Sequence, residues 1–196
     1  FNVSVGYNSL GLDTEGTRSV AIGNDTLAAQ NFTTATSVYN IAIGHFAGND
    51  ITTGVNNTII GGLAGDALTD ADYNVAIGST ALTSDTLGSR SVAVGYGTLV
   101  LQNFTTATDT YNVAVGYGAG ANITQGQQNT LIGGLAGQVL ADTDFNVAVG
   151  MSALQTDTGG QYSTAIGYQT LFSQNFTTSG TSTNNTAVGR LAGRSI

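Results

Sequence analysis

The chain has 196 residues, a formal net charge of −8 and no Cys, Pro, Trp or Lys. Charged residues make up only 8%, against about 25% in an ordinary soluble domain, while 41% are hydrophobic; this excludes the polar, highly charged composition of a disordered chain. The only basic side chains are Arg18, Arg90, Arg190 and Arg194. A nucleic-acid partner is excluded on that ground, since neutralising phosphates takes Lys and Arg. No apolar run approaches the roughly 18 residues of a membrane-spanning helix, so no membrane insertion is expected.

Short strands are predicted in chain order before Gly6, Gly23, Gly44, Gly61, Gly78, Gly95, Gly116, Gly133, Gly150, Gly167 and Gly189. The spacings are 17, 21, 17 and 17 residues, after which the series begins again, so eleven coils of 17–22 residues lie within a 72-residue super-repeat. Longer identities agree: Gln30 to Thr36 returns at Gln102 to Thr108, and Thr58 to Gly65 returns almost unchanged from Thr130. Residues 1–196 therefore read as one repeat domain.

Each coil obeys one grammar. The residue before the Gly is Val or Ile, and the residue three before it is Val, Ile or Thr. Between them stands a small residue, usually Ala, with Ile59 and Leu131 as exceptions; four before the Gly is Asn or Ser. Four after it the order is Leu, Leu, Gly, Gly, repeated. Alternating β-branched residues fit a strand of about five residues, and the Gly ends it where positive φ is cheap. Stacked about 4.8 Å apart, the coils form an all-β parallel β-solenoid roughly 50 Å long. The expectation is that the Val and Ile columns make the core and the small Ala column an inter-chain surface. The Asn and Ser column should form a polar ladder.

The segments Ser19 to Gly23 (SVAIG), Asn74 to Gly78 (NVAIG) and Asn112 to Gly116 (NVAVG) resemble the head repeats of trimeric autotransporter adhesins. Asn185 to Gly189 (NTAVG) is equally similar to the repeats of bacteriophage tail fibres. The resemblance implies a left-handed β-roll, a homotrimer with chains side by side, and an extracellular place on a cell surface or virion. It also implies adhesive duty toward a host-surface glycan or protein receptor. Adhesin head coils are usually shorter than 17 residues, and the 21-residue coils carry an insertion.

That insertion supplies the ligand-binding candidates Asn31, Phe32, Asn103, Phe104, Asn175 and Phe176. The three Phe recur every four coils, roughly 19 Å apart. Either the rings project and stack on sugars, or they fold back and cap the coil. Asp70, Asp72, Asp142 and Asp144 are weak metal candidates, because paired carboxylates suit Ca²⁺, although polar turns are expected there anyway. Asp13, Asp85 and Asp157 form a further column read as solvated turn. His45 is the single histidine and occupies a variable position. Sequons stand at Asn2, Asn24, Asn31, Asn56, Asn103, Asn122, Asn175 and Asn184. No non-repeated acidic cluster of the kind a glycan-cleaving tailspike needs is present. The expected function is thus non-enzymatic and cofactor-free: a structural and adhesive fibre segment, with a self-assembling extracellular filament as the alternative.

Overall fold

The computed structural model describes all residues 1–196. It is an all-β parallel solenoid. Eleven strands, from Val3–Val5 to Thr186–Val188, form one sheet in chain order. Each has three residues rather than about five. Register is kept across both coil lengths: Val75, Ala76 and Ile77 pair with Val92, Ala93 and Val94, which pair in turn with Val113, Ala114 and Val115. The four or five extra residues of each long coil are therefore absorbed away from this sheet. They pass into a second edge, where Gly16–Thr17 pairs with Thr36–Ser37, Gly88–Ser89 with Thr108–Asp109, and Gly160–Gln161 with Thr181–Ser182.

The two faces of the main sheet are opposite to expectation. The small column points inward: Ala21, Ala42, Ala76, Ala93, Ala114, Ala148 and Ala165 are completely buried. The β-branched residues on either side point outward, with Ile22, Ile43, Ile132 and Ile166 each 37–41% exposed. The physical reason is the narrowness of the coil. Side chains arriving from the far wall, Leu27, Leu82, Leu99, Leu154 and Leu171, already fill the interior, which leaves room for only a methyl group opposite.

The Leu, Leu, Gly, Gly order follows from the same limit. Where Leu stands four after the strand glycine, the inward residue three further on is polar: Gln30, Asp85, Gln102, Asp157 or Gln174. Where Gly stands there, that residue is Ile51, Leu68, Ile123 or Leu140, all fully buried. A Cβ on Gly65 would come within 2.9 Å of Leu68 Cδ1 and 3.1 Å of Ile59 Cδ1. Of these two positions, four and seven after the strand glycine, at most one in each coil supplies a large buried aliphatic group, never both. Ile59 and Leu131, the exceptions in the small column, use the space that neighbouring glycines vacate.

The polar ladder is present inside the fold. The Oδ1 of Asn40 accepts from the backbone N–H of Asn57 at 2.9 Å, that of Asn57 from Asn74 at 2.8 Å, and that of Asn74 from Ser91 at 2.8 Å. The run restarts at Asn112 and passes through Asn129 and Asn146 to Ser163. Each amide nitrogen is used too; Asn57 Nδ2 donates to the Ala71 carbonyl at 2.7 Å. Every buried side-chain nitrogen and oxygen has a hydrogen-bond partner, as an interior of this polarity requires.

Candidate functional site

Three surfaces distinguish the solenoid chemically: the outward sheet face, the insertions, and the turn carrying the acidic pairs. The sheet face is a strip of Val, Ile and Thr bordered by two aromatic columns. One border is the residue before the ladder, which turns the corner in the left-handed conformation; Tyr73 (φ 59°), Tyr111 (φ 52°), Phe145 (φ 62°) and Tyr162 (φ 61°) stand there. Neighbours stack along the axis: Phe145 and Tyr162 have ring centroids 5.0 Å apart, and Arg90 lies 5.1 Å from the Tyr73 ring. The other border follows the strand glycine, where Tyr96 and Tyr117 stack with centroids 5.6 Å apart. His45 belongs to this border and is exposed, with its ring 4.4 Å from Phe46.

Both alternatives for the insertion phenylalanines have a structural answer. Phe32 and Phe104 fold inward and are 7% and 5% exposed; rings so covered offer no face for a sugar. Phe176 is 36% exposed. Of the neighbouring amides, Asn31 and Asn175 are exposed and Asn103 is half-buried. Thr14, Thr86 and Thr158 bond their side-chain oxygens at 3.1, 3.2 and 2.9 Å. The parts that meet solvent are the tips Thr33 to Ala35, Thr105 to Ala107 and Thr177 to Gly180. Asn103 also borders an open polar groove of about 550 Å³ together with Ser84, Thr124, Gln125 and Asp142.

Under each insertion lies a network that the sequence did not reveal. Asp85 and Asp157 are fully buried, not solvated turn residues. Asp85 Oδ1 accepts from the backbone N–H of Phe104 at 2.9 Å and of Gly88 at 3.1 Å, while Oδ2 accepts from Gln102 Nε2 at 2.6 Å. Gln102 also donates to Ser91 Oγ at 2.9 Å and accepts from Asn112 Nδ2 at 2.8 Å. Gln174 repeats these contacts with Asp157, Ser163 and Asn185, and Gln30 repeats them with Asp13, Ser19 and Asn40. Each Ser that ends a ladder run is thus followed by a Gln that carries the polar chain across the long coil. Loss of solvation raises the Asp85 pKa, against the opposing effect of its hydrogen bonds to Gln102, Phe104, Gly88 and Thr86.

Each of the four weak metal candidates accepts a hydrogen bond from the coil before it. Asp70 accepts from Thr53 at 2.7 Å, Asp72 from the Val55 N–H at 2.8 Å, and Asp144 from the Gln127 N–H at 2.7 Å. Asp142 accepts from Thr124 and from the Gln125 N–H. Burial, and secondarily the charge of Asp142, raises the Asp144 pKa. Nowhere do three or more His, Asp or Glu side chains gather as a metal would require.

Two stretches, residues 15–36 and 75–98, match the YadA head domain repeat. Together they cover less than a quarter of the chain, and they agree with the resemblance carried by the SVAIG and NVAIG segments. No curated protein and no solved structure gives a significant match.

Proposed function

We propose that this chain is a non-enzymatic segment of an extracellular fibre, adhesive in duty, that works as a side-by-side homotrimer of left-handed β-rolls. The observation that carries the reading is the outward sheet face. Eleven strands give a length of about 50 Å, and the width between the aromatic borders is about 20 Å, so the apolar strip covers roughly 1,000 Å². Monomers rarely expose more than a few hundred Å² of contiguous apolar surface, and a stable partner contact covers about 800 Å² per side. Three such faces turned toward one axis bury each other. The match to the YadA head repeat supports the adhesin-type role, and the NTAVG form of the last coil supports a virion fibre as the alternative carrier. Receptor contact falls to the insertions, whose tips and amides (Asn31, Asn103, Asn175) recur along the rod and would act by avidity rather than through one strong pocket.

The test is absolute mass by light scattering after size exclusion, for the wild type and for Ile77→Asp. A three-chain wild type that becomes monomeric with Asp in the strip supports the proposal. A monomeric wild type refutes it, and very large particles point to the end-to-end filament instead.

A further inference from the structure

One hollow differs between the 72-residue blocks: its counterpart one block earlier is lined by Asn8, Asp25, Ala28, Phe46 and Asn49, where this one has Thr80, Gly97, Val100, Gly118 and Ala121. It lies beside the sheet face, holds about 230 Å³, and is lined by Tyr96, Gly97, Tyr117, Gly118, Leu135 and Gln138, among others. Its floor exists because two consecutive coils carry Gly at the left-handed position two after the strand glycine, Gly97 (φ 59°) and Gly118 (φ 59°). A Cβ on Gly97 would meet nothing within 4 Å, and one on Gly118 only Leu135 Cδ2 at 3.1 Å. One block earlier the place of Gly118 is held by Phe46, and on the next coil by Leu135, with nearly the same φ of 56° and 59°. The side that Phe46 lines in the counterpart is thus left open by Gly118 in this hollow. At the back of it, the Gln138 carbonyl oxygen accepts from Gln155 at 2.7 Å, while the Gln138 amide donors make no bond within the chain. The site thus suits a ring that ends in a hydroxyl.

Tyr111 is such a ring at the same height on the opposite border. It opens the strand Val113–Val115 that precedes Gly116 and Gly118, and it is 51% exposed. When identical faces are arranged around a three-fold axis, the trailing border of one copy meets the leading border of the next. We propose that the hollow floored by Gly97 and Gly118 receives Tyr111 of the partner subunit, which fixes the axial register of neighbouring chains. This rests on the trimer reading above and adds to it a residue-level key. A strip of repeated Val and Ile would otherwise pack equally well after a slip of one coil, but such a slip would set Arg90 or Gln128, rather than Tyr111, against the hollow.

The absence of cysteine makes the test clean. In the Tyr111→Cys/Gly118→Cys double variant, a short bis-maleimide should give a covalent trimer as the main species on a denaturing gel, and neither single variant should do so. Linkage within one chain is ruled out, because the five residues from Tyr111 to Gly116 alone span roughly 16 Å. Gly118→Phe, which has its precedent in Phe46, should fold normally and weaken trimer association about tenfold or more, as loss of a central aromatic contact does. A trimeric wild type with no cross-link and unchanged association in Gly118→Phe overturns the key while leaving the trimer intact, and assigns the hollow to a ligand from outside the fibre. A monomeric wild type removes both.

Discussion

Replacing Asn57 with Ala removes one rung of the internal ladder. Asn57 Oδ1 is the acceptor for the Asn74 N–H at 2.8 Å, and its Nδ2 is the donor to the Ala71 carbonyl at 2.7 Å. Asn57, Ala71 and Asn74 are all fully buried, so water does not replace either bond. Two orphaned polar groups at about 1–3 kcal/mol each put the loss at about 2–6 kcal/mol, a large share of the 5–15 kcal/mol typical of a folded domain. Asn57→Asp gives a sharper control. At neutral pH it keeps the acceptor for Asn74 but sets a buried carboxylate oxygen against the Ala71 carbonyl. When protonated, it donates there as the amide did. Its folded pKa must therefore lie above the unfolded value of about 3.9. Its stability should approach wild type below that value and fall as pH rises through the folded pKa. Guanidinium unfolding followed by circular dichroism, at one fixed protomer concentration, measures both variants. A loss of about 1 kcal/mol or less for Asn57→Ala, or an Asp variant that weakens on acidification, would refute the ladder's energetic role.

Gly65→Leu should cost about 1–3 kcal/mol by overpacking against Leu68 and Ile59, and Gly65→Leu/Leu68→Ala should regain most of it; a double-mutant cycle with no coupling would contradict the either-or filling of the coil. Gly78→Ala should be harsher still, since its φ is 132° and the added Cβ would lie 2.3 Å from the Gly95 carbonyl oxygen; thermal melting checks this, and an unchanged Tm would count against it. Burial raises the pKa of Asp85 and of Asp144, so the folded state holds their protons more tightly than the unfolded one. Their contribution is complete below about 3.9 and is lost as pH rises through the folded values. Tm should thus climb as pH is lowered toward about 3.9, by less in Asp85→Asn, and a Tm that only falls on that approach in wild type and variant alike would be the contrary result.

The repeat, the parallel stacking and the Asn column are legible in the sequence because each depends on one residue type recurring in phase. The direction of the strand faces is not. Val20 and Ile22 look like core, and Ala21 looks like a contact surface, whenever a strand is considered alone. What decides the matter is Leu27, six residues further on, which reaches the same interior from the other wall. Local alternation carries no information about how wide the coil is. The correlation between Gly48 and Ile51, or Leu99 and Gln102, does carry it, and is visible once the inward position seven after the strand glycine is compared with the position four after it. The burial of Asp85 is hidden in the sequence for a related reason: a carboxylate before Thr-Leu-Gly has the composition of an exposed turn, and only the distant Gln102 and the Phe104 N–H explain its burial. Phe32 and Phe104 face inward for the same cause, covering that network.

The hydrogen bonds between coils lie parallel to the long axis of the rod. A pull applied at its two ends loads them one coil at a time, as in opening a zipper, instead of shearing the whole sheet at once. Each coil that peels away gives up about 4.8 Å of rod and frees some 17 residues, roughly 60 Å of extended chain. A tether built this way lengthens more than tenfold under tension before its backbone is taut.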